Sequence, residues 1–279
     1  MVVWTRETPW RQGHLLTVEA INALGLHHPE YPDDSVVIVA THDCDLAQAP
    51  IIEPLVELVI GRRIAQFDGN YTHAKTARTL HIAFEDANPL LAEFVIANKC
   101  AVSKAVLAGF EPETNSILSP TNRTTFQRWL AARYHRSAFP DEFERRLVRV
   151  TKLAERLNRA VKPQGEMITA VVFDVDEGEE MARNGEDDVY ILDIILVHTI
   201  EPDFEAAQAA ANAAKEAIKR DFEKKLFDKQ SGKWKYIELR YVDVLSEEAF
   251  TYRQFTLMKR WRLDYISLGA ESQQPIVPE

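Results

Sequence analysis

Residues 167–198, MITAVVFDVDEGEEMARNGEDDVYILDIILVH, decide the fold class. Two apolar runs, MITAVVFDV and DVYILDIILVH, flank the polar stretch EGEEMARNGEDD, which is too short to hold a crossover helix. The runs therefore predict an antiparallel hairpin, with Asp174 and Asp176 on its solvent-facing side. Pro202-Asp203 then starts an alanine-rich helix over 203–229, in which Ala207, Ala211, Ala214, Ile218 and Phe222 share one face. KYIELRYVDV reads as a last strand, followed by the aromatic and basic FTLMKRWRLDYISL and a loose ESQQPIVPE. Hairpin, long helix and strand in that order point to an α+β protein.

Upstream of the hairpin, two helices are expected over 121–136 and 141–160, split by Phe139-Pro140, with Asp141 placed to cap the second. Pro112 and Pro120 bound a loop, and PLLAEFVIANKCAVSKAVLA (89–108) fits a helix, or a helix preceded by a strand, with Cys100 buried in it. Nearer the start, TVEAINALGL is a helix closed by Gly25, HHPEYPDD is turn-rich, and VVIVA, EPLVELVIGRRIAQF and RTLHIAF are β-rich. The whole reads as a mixed β-sheet with flanking helices. It divides into an N-terminal α/β part (1–120), a basic helical segment (121–162) and a C-terminal part (163–279) with hairpin, long helix and strand.

At 279 residues, 46% hydrophobic and 27% charged, the composition is that of a globular protein. No apolar run approaches the roughly 18 residues of a membrane span. MVVWTRETPW lacks a basic-then-apolar signal pattern, so a cytoplasmic protein is expected. The two cysteines, Cys44 and Cys100, belong to no CxxC pair, which gives no basis for a disulfide framework or a zinc ribbon.

One cluster carries the chemistry. In VVIVATHDCDLA (36–47) a buried strand runs into Thr41, His42, Asp43, Cys44 and Asp45, and side chains at such a strand end converge where ligands can reach them. Read as extended chain, Asp43 and Asp45 point to one side as hard oxygen ligands for Mg²⁺ or Mn²⁺, with His42 a weaker third ligand. Glu53 or Glu57 would complete the set or act as base, and Lys75 or Arg78 would stabilise a phosphate. Cys44, with His42 as base, is the nucleophile of a rival scheme; alternation instead turns it toward an apolar face, and two neighbouring anions disfavour its thiolate.

Charge supplies a second feature. Residues 121–162 hold eleven Lys/Arg against four Asp/Glu in a chain whose net charge is −10. In DEFERRLVRVTKLAERLNRAV an apolar stripe (Phe143, Leu147, Val150, Ala154, Leu157, Val161) opposes a basic one of Arg145, Arg149, Lys152, Arg156 and Arg159. Such a stripe can track a phosphate backbone, and Trp129 and Tyr134 are candidates to stack on bases. The leading expectation is a metal-assisted phosphodiester hydrolase acting on nucleic acid or nucleotide. The alternatives are a non-catalytic nucleic-acid- or protein-binding module, as a subunit of a larger assembly, and a Cys44-dependent hydrolase or transferase.

Overall fold

The computed structural model describes residues 4–86, 88–132, 139–179, 181 and 183–261. The protein is α+β, and its contacts divide it into two compact units: 1–67 with 77–134, and 68–76 with 135–279. The basic segment read as one piece is thus shared out, its first helix in one unit and residues 139–162 in the other.

In the first unit, helix α1 (Val18–Leu24) opens on Thr17, whose side chain accepts the Ala20 N–H, and closes on Gly25 at φ 64°. Only a residue without Cβ adopts that left-handed angle at no steric cost. Strand β1 (Ser35–Val39) follows, then the short helix α2 (Asp43–Leu46), β2 (Leu55–Arg63), β3 (Thr79–Phe84) and β4 (Leu90–Ser103). They form an antiparallel sheet in the order β1-β2-β4-β3. The outer edge of β1 is covered by residues 13–16, through Gly13 N–H to Val39 O, Val39 N–H to His14 O and Leu16 N–H to Val37 O. Helices α3 (Lys104–Leu107) and α4 (Pro120–Ala132) complete the unit. Of the two readings of 89–108, the structure takes a strand followed by a helix, with the strand far longer: residues 90–103 are one strand that pairs on both sides, with β2 and with β3, and only Lys104–Leu107 is helical. In α4, Phe126 packs on Phe94 and Trp129 on Phe126, both fully buried, so Trp129 is core and offers no stacking surface, while Tyr134 lies outside the described residues.

In the second unit, α5 (Asp141–Glu144) runs into a π-turn (Arg145–Val150), and α6 (Leu153–Val161) begins only after Lys152, which has a left-handed backbone at φ 55°. The expected single helix over 141–160 is thus broken. The Thr151 N–H bonds back five residues to Arg146 O, and the extra residue in that turn swings Leu153 into the core, leaving Val150 half-buried. Strands β5 (Ile168–Val175) and β6 (Tyr190–His198) make the expected antiparallel hairpin. Helix α7 (Phe204–Leu226), capped by Asp203 accepting the Ala206 N–H, leads through the small ribbon β7 (Phe227–Asp228) and β8 (Lys233–Trp234) to β9 (Ile237–Ser246). β9 lies parallel to β6, and after α8 (Tyr252–Leu257) strand β10 (Lys259–Trp261) pairs with β5, giving a mixed sheet ordered β10-β5-β6-β9. Its inner face packs Phe173, Tyr190, Ile194 and Leu196 on the apolar sides of α6 and α7.

The segment 68–76 belongs to this second unit by close backbone contact. Gly69 and Gly165 lie so near each other that a Cβ on Gly165 would collide with Gly69. The Thr72 hydroxyl reaches both Gly69 O and Gly165 O at 3.0 Å.

Candidate functional site

At the end of β1, Ala40 and Thr41 donate backbone N–H groups to Glu57 O, and Thr41 Oγ1 accepts the Glu57 N–H at 2.6 Å, tying the strand end to β2. The chain then turns helical. His42 is the N-cap of α2, its Nδ1 accepting the Cys44 N–H at 3.2 Å. Asp43 and Asp45 sit in the first helical turn, where negative charge is favoured. They are not two residues of an extended strand, and the argument that alternation puts both carboxylates on one side falls with that. Asp43 Oδ1 accepts the Gln12 N–H at 2.7 Å, and Gln12 is held in turn by Ala40 O and by Gln127. Cys44 is exposed, not turned to an apolar face, because helical rather than extended geometry places it on the solvent side of α2.

A residue the sequence does not single out holds this turn in place. Lys104 is fully buried, and its ammonium donates to the carbonyls of Asp45 (2.6 Å), Leu46 (3.3 Å) and Gln48 (2.8 Å). These are the carbonyls that end α2, so the cation sits at the negative end of the turn. Burial lowers its pKa, with Glu53 and Asp45 opposing the shift. On the other side, His14 is held below its ordinary pKa by burial and by Arg123 and Arg11, against the pull of Asp43.

The remaining catalytic candidates each have partners of their own. Lys75 is buried in the second unit, where its ammonium donates to Thr72 Oγ1 (3.1 Å), Ile168 O (2.9 Å) and Gly165 O. A cation with three such acceptors is structural, and burial pushes its pKa well down. Glu57 pairs with Lys99 at 2.7 Å. Glu53 is half-buried, its N–H bonded to Ala49 O, and Arg78 is half-buried just before β3. Among the described residues, no three His, Cys, Asp or Glu side chains form a group able to hold a metal ion.

The basic segment is also rearranged. Arg145 forms two bonds to Glu142, at 2.6 and 2.8 Å, and with Arg146 it pulls the Glu142 carboxyl down to about 2. Arg146 is buried, its guanidinium reaching the carbonyls of Gly185, Asp188 and Tyr236. Arg149 is exposed on the π-turn, Lys152 at the N-cap of α6 and Arg159 on α6 itself, and Arg156 pairs with Asp221 of α7 at 3.1 Å. The five-cation stripe over 145–159 therefore reduces to Arg156 and Arg159 on one helical face, with Lys152 at the N-cap and Arg149 displaced by the break. Arg133 and Arg136 lie outside the described residues.

Two polar groups arise only from strand pairing. Arg62, Glu93 and His81 stand side by side across β2, β4 and β3: Arg62 Nε donates at 2.7 Å and His81 Nε2 at 2.9 Å to the two Glu93 oxygens. His81 and Arg62 hold the Glu93 carboxyl down at about 2. In the second unit, Asp174 and Asp193 are directly opposed on β5 and β6, and Arg240 of β9 bridges Asp193 and Glu177. Asp174 is half-buried, with burial and then Asp193 raising its pKa, and Asp176 is buried, accepting from Arg183 and the Ile191 N–H. Neither is a freely solvated side chain of the hairpin, because the loop folds back over both.

No family model, curated protein or solved structure matches this chain. Among the described residues, no helix is long and apolar enough to cross a membrane.

Proposed function

We propose that the chain is a non-catalytic nucleic-acid-binding module, working as a subunit of a larger assembly, with its contact surface on the second unit. One observation carries this reading: Arg159 is exposed on the face of α6 that also bears Arg156, with Lys152 exposed at the N-cap of that helix and Arg149 on the turn before it. Cations on one rigid face exchange condensed counterions for phosphates at little entropic cost. The test is fluorescence anisotropy with labelled mixed-sequence nucleic acid at about 50 and 200 mM NaCl. Binding that weakens steeply with salt and is lost in Lys152→Glu/Arg159→Glu is expected. Binding indifferent to both would sink the reading.

A second reading, a Mg²⁺- or Mn²⁺-dependent phosphodiester hydrolase centred on Asp43, is favoured by the mixed charge near that carboxylate, with Arg11, Arg123 and Asp43 all acting on His14. It expects divalent-dependent cleavage of a phosphodiester that disappears in Asp43→Asn; a wild type without turnover in either metal ends it. The exposure of Cys44 keeps a thiol-dependent variant open to the same assay through Cys44→Ala. Cytoplasmic residence belongs to the same proposal, since a reducing compartment keeps an exposed thiol free.

A further inference from the structure

Resting on the nucleic-acid reading, we infer that the ligand of the α6 surface is a duplex held by its phosphates across both α6 and α7, not a single strand held by its bases. The Arg156–Asp221 ion pair fixes the edge where the two helices meet. On α6, Arg159 lies three residues after Arg156 and so on its side of the helix, while Lys152 stands exposed at the N-cap, just before the helix. On α7, Arg220 and Lys224 are exposed and four residues apart, on the solvent side of Asp221. Exposed cations thus stand on two neighbouring helices, whose axes lie roughly 8–10 Å apart in a packed pair. That separation lies within the range of the two phosphate strands bordering a duplex groove, which is about 6 Å wide on the minor side of B-DNA and 12 Å on the major. Glu216 stands in the same row, four residues before Arg220, where Lys219 engages it at 3.9 Å, and Glu223 lies three residues after Arg220. Glu155 is the exposed carboxylate on the α6 side.

The same surface has no aromatic ring placed for single-strand binding among its described residues. Unpaired bases are held by stacking on exposed aromatic rings, worth roughly 1–3 kcal/mol each. α6 contains no aromatic residue, and on α7 Phe222 is buried while Phe204 lies at the far end of the helix, about 25 Å from Asp221 at 1.5 Å per residue. Among the described residues of this unit, the other exposed aromatics, Tyr241 and Tyr252, are on β9 and α8. Cations without a stacking platform recognise backbone geometry, which a duplex presents in fixed form and a single strand does not.

The experiment titrates the full chain with a duplex DNA and a duplex RNA of about 16 base pairs, and with oligo-dT and oligo-U of the same length, at one salt concentration. At least one duplex is expected to bind about tenfold tighter than either single strand, with the DNA and RNA arms telling which helical form is preferred. Arg220→Glu/Lys224→Glu is expected to weaken duplex binding about tenfold or more and to reduce the salt slope by roughly two phosphate contacts. Single strands binding as tightly as duplexes, or duplex affinity unchanged in the α7 variant, overturns this inference while leaving the nucleic-acid reading intact. Failure of every probe to bind overturns the nucleic-acid reading and this inference with it. Both α7 side chains are exposed, and an unchanged circular dichroism spectrum and melting temperature distinguish lost contact from lost fold.

Discussion

Lys104 and Glu93 show how single residues come to matter through partners far along the chain. Lys104 gathers three carbonyls of residues 45–48 from nearly sixty positions away. Lys104→Met keeps most of the stem and removes every donor, leaving buried acceptors unpaired, and should cost about 2–4 kcal/mol in urea unfolding. Glu93 sets an acid limit on stability. Its folded pKa of about 2 lies below the ordinary 4.5, so between those values the unfolded chain binds the extra proton. The contribution is complete above about pH 5 and lost as the pH falls toward 2. Glu93→Gln should therefore lose roughly 2–4 kcal/mol at neutral pH and flatten the acid limb of a stability-versus-pH curve. At Cys44, exposure predicts that a thiol reagent labels the native protein there first, ahead of the half-buried Cys100, whose thiol burial pushes up. Equal rates for the wild type and Cys44→Ser would contradict the placement.

At the scale of elements, the informative places are those where the local pattern breaks. The 3.6-residue spacing of Phe143, Leu147, Ala154, Leu157 and Val161 survives in the core. The same spacing misplaces the cations, because a π-turn and a left-handed Lys152 intervene between Arg145 and Arg156. Periodicity registers which residues are apolar, and it cannot register one extra residue absorbed in a turn. Helix caps were more legible: Thr17, Gly25 and Asp203 act as their residue types predict, whereas Asp141, read as a cap, is the first residue of α5, whose N-cap Pro140 makes no side-chain bond. For α2, two acids in a first turn offered the same kind of signal, masked by the β-branched run before them. In the first sheet, Gly61 lies at a register shift between β2 and β4, and a Cβ there would strike Glu93 O and the Phe94 ring at 2.5 Å. Gly61→Ala should cost about 1–3 kcal/mol, read from the urea midpoint.

For the whole molecule, the decisive fact is that residues 68–76 fold with the chain beyond 135. Lys75, Thr72 and Gly69 satisfy or adjoin the Gly165 backbone, so a fragment starting at 135 lacks the groups that hold its own 162–168 turn. Such a fragment is expected to show a reduced, non-cooperative thermal transition by circular dichroism, where one carrying 68–76 on a linker regains cooperativity. By itself, the sequence determined the α+β class, the β5–β6 hairpin, the long α7 and the absence of an apolar span, because these rest on periodicity, caps and turn length within a few tens of residues. Only the tertiary structure decided that Asp43 and Asp45 sit on a helical turn, that Lys75 and Lys104 are buried on carbonyls, and that Arg156 of α6 pairs with Asp221 of α7. Those outcomes depend on which distant backbone groups need a partner once the sheets have formed, and a charged side chain carries no local mark of whether it will meet water or a buried carbonyl.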